Sequence, residues 1–172
     1  QAVWLALLAT PFTMLPMLFA DTIFEMAGHD RLVRAEEVIY FRILCLGSAS
    51  MLVSYAFSAF FSGQGKTWVV MLIDFGSVVI NIALDYAWIF GNFGFPAMGI
   101  EGGAWATVVA VSVKVVAYLI LLSRAENRKI FDSMKLAFQW PLLKRLLTFG
   151  GPAGLQMLLE IAGFTVFVFL VG

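Results

Sequence analysis

Leu155-Gln156-Met157-Leu158-Leu159-Glu160-Ile161-Ala162-Gly163-Phe164 sets one carboxylate inside an apolar run long enough to cross a bilayer. A charge near a helix centre in the membrane costs roughly 2.5–3.5 kcal/mol on insertion scales, so it usually faces a cavity, a partner or an ion. Asp85 poses the same question within Asn81-Ile82-Ala83-Leu84-Asp85-Tyr86. Two buried carboxylates in a chain of apolar spans suggest a cation-coupled membrane transporter.

The composition supports a bilayer as solvent. The chain is 62% hydrophobic and 13% charged, with a mean hydropathy of +0.94, whereas soluble domains carry about 25% charge. The net charge is zero, so no polybasic face points to nucleic acid. One cysteine, Cys45, and one histidine, His29, lie in separate segments. They give no disulfide framework, no metal cluster and no nucleophile constellation, which argues against a membrane-embedded enzyme. The apolar run that starts beside Gln1 and the one that ends on Gly172 are read as an internal stretch of a longer protein.

Five segments have the length and apolarity of a spanning helix: 2–24, 38–61, 67–90, 102–122 and 147–172. The runs are continuous rather than alternating, which excludes strands, so the expected fold is all-α and integral to the membrane. Pro11 and Pro16 predict a kink in the first span. Basic residues set the expected orientation. Lys66, Arg124, Arg128, Lys129, Lys135, Lys144 and Arg145 fall after the second and fourth spans, against Arg31 and Arg34 on the other side. The loops after those two spans are therefore expected in the cytoplasm, and 91–101 outside. In the long linker, 124–146, Ile130, Met134 and Phe138 have helical spacing beside basic residues, so an interfacial helix and an irregular basic loop are both open readings.

Gly65-Lys66-Thr67 is not a phosphate loop. The glycine required five residues earlier is replaced by Phe60, and the context is helix–turn–helix. The residues are explained by a tight turn.

Asn81 and Asp85 share one helix face, and Thr107 is expected at a similar depth on the next span. An amide oxygen, a carboxylate and a hydroxyl at one level suit Na⁺, and equally suit a proton-carrying carboxyl group. The competing reading has Asp85 snorkelling to the headgroups and Asn81 bonding a neighbouring helix. Glu160 is expected near mid-membrane, where the alternative to exchange is a structural partner on another helix. Asp74 and Lys114 fall at matched depth on consecutive spans and predict a neutralising ion pair. The other role open to Lys114, together with Gln156, is in a substrate path. Gly150, Gly151, Pro152 and Gly154 predict either close packing or a bend below Glu160.

Several stretches, in order, resemble one family. They are Tyr40-Phe41-Arg42-Ile43-Leu44, Phe60-Phe61-Ser62-Gly63-Gln64-Gly65-Lys66-Thr67 and the Asn81–Tyr86 segment. Pro96-Ala97-Met98-Gly99-Ile100-Glu101-Gly102-Gly103-Ala104-Trp105-Ala106-Thr107 and Phe149-Gly150-Gly151-Pro152-Ala153-Gly154-Leu155-Gln156 complete the set. In this spacing the chain is similar to the MATE family, the multidrug and toxic compound extrusion antiporters. The resemblance implies a twelve-helix, two-lobe fold. Residues 1–123 would be four helices of the N-terminal lobe, 124–146 the cytoplasmic inter-lobe linker, and 147–172 the first helix of the C-terminal lobe.

The resemblance also implies a function. Asp85, Asn81, Thr107 and the Gly103 carbonyl would belong to a first-lobe cation site, and Glu160 to a second. Lys114 is not part of the family pattern. Na⁺ or H⁺ would be the coupling ion, with no other cofactor, nucleotide or nucleic acid. The partners would be amphipathic, often cationic small molecules and the lipid bilayer. A monomer in the cell inner membrane is expected. A related flippase for lipid-linked saccharides is the alternative, although such proteins favour basic cavities and only Arg42 and Lys114 are basic within these spans. A purely structural membrane subunit, with paired and inert acids, is the remaining class.

Overall fold

The computed structural model describes residues 1–26, 30–123 and 139–171. Five helical segments in these residues are long and apolar enough to cross a membrane. The first is broken: α1 (Ala2–Met14) leads through a 3-10 turn (Leu15–Phe19) into α2 (Ala20–Met26). Pro11 lies inside α1 and Pro16 at the start of the 3-10 turn, where a missing N–H is tolerated. Then come α3 (Arg31–Gly63), α4 (Thr67–Phe90), α5 (Gly99–Ser123) and α6 (Trp140–Val171). No strand occurs among the described residues.

Three helices start earlier than hydropathy predicts, α5 at Gly99 rather than 102 and two others by about two turns. α3 begins at Arg31 rather than at 38, so Arg31, Arg34, Glu36 and Glu37 are helical rather than loop residues. Asp30 caps this end, its carboxylate accepting the Arg31 N–H at 2.6 Å. Ion pairs to α2 then hold the polar turns: Arg34 to Glu25 at 3.2 Å and Arg42 to Asp21 at 2.5 Å. At 33 residues the helix is about 50 Å long, well beyond the hydrocarbon core of about 30 Å, so its first turns extend past the apolar layer. α6 likewise begins at Trp140 rather than 147. Residues 140–146, expected in the linker, are its first two turns, and Arg145 sits over the Phe149 ring at 5.9 Å. The expected interfacial helix at Ile130, Met134 and Phe138 lies outside the described residues, as does His29.

The chain divides into two compact units, one from Val3 to Lys135 and one containing α6. In the first unit, α5 packs against both α3 and α4. Phe57, Phe61 and Tyr118 form the buried centre of this three-helix contact, with Phe61 and Tyr118 stacked at 5.5 Å. Side-chain hydroxyls join the helices: Thr13 donates to Ser48 at 3.0 Å, and Ser50 and Ser112 lie 3.2 Å apart. Gly47 lets α3 approach α5 closely, since a Cβ there would lie 2.5 Å from a Val108 methyl group. The α3–α4 connection is the tight turn expected from Gly65, which takes φ +75°. Gly65 N–H donates to the Ser62 carbonyl at 2.9 Å and Lys66 N–H to that of Phe61 at 3.0 Å.

α6, the body of the second unit, runs unbroken through Pro152. Apart from Leu143, its described side chains are exposed, most of them large and apolar. Such a surface suits acyl chains or neighbouring helices rather than water.

Candidate cation site

α4 carries Asp74, Ser77, Asn81 and Asp85 at i, i+3, i+7 and i+11, which a 3.6-residue period places along one stripe. That stripe meets α5, running antiparallel. Asp85 Oδ1 is 3.8 Å from where a Cβ on Gly103 would stand. Ser77 donates to the Ala110 carbonyl at 3.1 Å. Lys114 Nζ lies 2.6 Å from Asp74 Oδ1. The pairs 85/103, 77/110 and 74/114 keep one antiparallel register. Asn81 and Thr107 therefore occupy the level between Asp85 and Ser77.

At the Asp85 level the donors are oxygen-rich. Thr107 donates its hydroxyl to the Gly103 carbonyl at 3.0 Å, which leaves the lone pairs of Thr107 Oγ1 available. Asn81 Nδ2 is buried without a hydrogen-bond partner. A buried, unsatisfied amide calls for an explanation, and rotating it would turn its oxygen into the same place. Asp85 is half-buried, and no hydrogen bond or ion pair reaches its carboxylate from the described residues. A carboxylate, a hydroxyl, an amide and a carbonyl with no competing partner for the charge suit a hard cation or a proton. The structure thus brings Asp85, Asn81, Thr107 and Gly103 to one level of the α4–α5 seam.

The Asp74–Lys114 contact lies about 16 Å along α4 from Asp85 at helical rise. At that distance the contact is a close, charge-assisted one between ammonium and carboxylate. The Lys114 side chain is 15% exposed and that of Asp74 45%. Tyr118, one turn beyond Lys114, is fully buried, with Ser58 and Asp74 as its polar neighbours.

Glu160 lies on α6, in the other unit. Gln156, one turn earlier, donates to Glu160 Oε1 at 2.9 Å. Among the described residues this is the one polar partner of the Glu160 carboxylate, and the neighbouring Leu159 and Ile161 are apolar and exposed. Gln156 therefore orients the Glu160 side chain in addition to any contact with a substrate.

Sequence reasoning did not single out Ser77 or Tyr118. Both continue the polar period, Ser77 between Asp74 and Asn81 and Tyr118 four residues after Lys114, and that period was the available signal. The Asp21–Arg42 and Glu25–Arg34 pairs had no such signal, because they join distant segments.

Comparison with known proteins agrees with this architecture. The MatE family profile matches residues 1–87. A Listeria monocytogenes protein named "Probable multidrug resistance protein NorM" is 34% identical over 131 residues, covering 75% of this chain and 29% of that protein. The Pseudomonas aeruginosa "Multidrug resistance protein PmpM" is 29% identical over 179 residues, covering 100% of this chain and 37% of that protein. A Thermotoga maritima NorM is 32% identical over 132 residues, 74% of this chain and 27% of that protein. No solved structure matches. The chain spans about a third of the length of these relatives. It belongs to the MATE family of multi-helix membrane transporters.

Proposed function

We propose that the whole protein exports amphipathic, often cationic compounds across the cell inner membrane as a monomer, driven by inward movement of Na⁺ or H⁺. One observation carries this reading: Asp85 stands at the α4–α5 seam beside Asn81, Thr107 and Gly103, with no counter-charge on its carboxylate among the described residues. An unpaired carboxylate in an apolar span is costly unless it takes up a cation or a proton. The names of the bacterial relatives, as multidrug resistance proteins, support the substrate class. Glu160 supplies a second exchangeable carboxylate, oriented by Gln156.

Coupling follows from differential affinity. A cation that binds one state of the transporter more tightly than the other shifts the equilibrium, and a substrate with the opposite preference shifts it back. The chain's own residues supply oxygen ligands and a charge that must be neutralised before the site can be closed off from water. A phosphate-binding flippase fits less well, because Arg42 and Lys114, the basic residues within the spans, already face Asp21 and Asp74.

Membrane vesicles holding the whole protein, with Na⁺ and H⁺ gradients imposed separately, test the proposal. Efflux of a cationic dye should be driven by at least one gradient and abolished when both are collapsed. Dye movement that continues unchanged with both gradients collapsed contradicts it.

A further inference from the structure

The α4 stripe carries two carboxylates on one face, Asp74 and Asp85, and α5 treats them differently. Opposite Asp85 it presents Gly103 and Thr107, which bring no charge. Opposite Asp74 it presents an ammonium at 2.6 Å. Both levels set hydroxyl and carbonyl oxygens beside the carboxylate. Near Asp74 are the Ser77 hydroxyl, bonded to the Ala110 carbonyl, and the buried Tyr118 hydroxyl. Tyr118 lies within the field of Asp74, and Ser58 of α3 is its other polar neighbour. A carboxylate, two hydroxyls and a carbonyl would suit a monovalent cation as well as the Asp85 set does.

We propose that Lys114 is a tethered cation: its ammonium takes the place at Asp74 that a free monovalent cation would otherwise take, and so confines exchange on the α4–α5 seam to Asp85. This rests on reading Asp85 as an exchange site. Lys114 is thereby a specificity-determining residue for how many cations the seam binds. Breaking the pair by removing the ammonium leaves a charge in an apolar span, which must recruit Na⁺ or a proton from outside. The 15% exposure of the Lys114 side chain and its 2.6 Å approach to Asp74 Oδ1 fit a cation held at that carboxylate.

Dicyclohexylcarbodiimide tests this in the whole transporter, because it modifies protonated carboxyl groups in apolar surroundings and bound cations protect them. The modified residues are located by peptide mass. In the unaltered protein Asp85 should be modified and Na⁺ or alkaline pH should protect it, whereas Asp74 should stay unmodified. In Lys114→Met, modification of Asp74 should rise by roughly tenfold or more, the factor matching about 1.4 kcal/mol of lost ion pairing, and should become protectable by the same cations. Lys114→Arg keeps a tethered charge and should leave Asp74 unmodified. Equal modification of Asp74 and Asp85 in the unaltered protein overturns the proposal, and that comparison needs no variant to fold. So does a folded Lys114→Met protein in which Asp74 stays unreactive. If Asp85 is inert in the unaltered protein while Asp74 responds to Lys114→Met, the reading of Asp85 fails and the role of Lys114 stands.

Discussion

Gln156 donates a 2.9 Å hydrogen bond to Glu160 one turn further along α6. The bond points the carboxylate along the helix and leaves its second oxygen outside that contact. By fixing the direction of the carboxylate, Gln156 should help Glu160 hold a cation. Gln156→Leu is expected to raise the half-saturating cation concentration for transport by roughly three- to tenfold. The quantity of folded protein should change little, because leucine keeps a similar side-chain length and suits an apolar span. Cation-dependence curves normalised to membrane protein check this, and an unchanged curve removes Gln156 from the site.

The α2–α3 ion pairs should behave differently from Asp74–Lys114. Arg34–Glu25 and Arg42–Asp21 have side chains 29–67% exposed, so each is worth about 0–1 kcal/mol and is screened by salt. Neutralising either pair should shift the melting temperature in detergent by a few degrees at most, with the shift shrinking at high salt. Asp74→Asn should lower it more, because Lys114 is then buried without its partner. Equal, salt-sensitive losses for all three pairs would show that the inner pair is also solvent-screened.

Gly47 sets the separation of α3 and α5. In Gly47→Ala the new methyl group would meet Val108 at 2.5 Å, so the variant should lose thermal stability by about 1–3 kcal/mol of overpacking. Adding Val108→Ala should recover part of the loss. Additive losses in the double variant would place the clash elsewhere.

Orientation is tested by labelling. Single cysteines at Phe93 and at Gly63, in a Cys45→Ala background, should react oppositely with an impermeant thiol reagent. Phe93, 80% exposed, should label from outside intact cells, and Gly63 only after the membrane is opened. Labelling of Gly63 from outside would reverse the topology read from the basic loops.

The number and type of spanning helices were legible because apolar runs of this length have few other solutions. Helix starts were less so. The first turns of α3 carry Arg31, Arg34, Glu36 and Glu37, and what keeps them helical is a cap at Asp30 and ion pairs to α2 that hydropathy does not register. The Asp85 level could be read from the i, i+4 spacing of Asn81 and Asp85. Its α5 side depended on register, which the Asp74–Lys114 and Ser77–Ala110 contacts fix. Tyr118 is not legible as a polar position, because a tyrosine in an apolar span reads as packing, and its ring does stack on Phe61.

In the proposed mechanism, carboxylates in the spans couple cation entry to export. Its most direct test is gradient-driven dye efflux per unit of membrane protein in the whole transporter carrying Glu160→Gln or Asp85→Asn. Each change keeps the shape and hydrogen-bonding capacity of the side chain and removes its ability to carry a charge. Both variants should reach the membrane normally and lose gradient-driven efflux, Glu160→Gln more completely. Export by Glu160→Gln and Asp85→Asn at the unaltered rate and cation stoichiometry would contradict it, and would leave both carboxylates as structural residues.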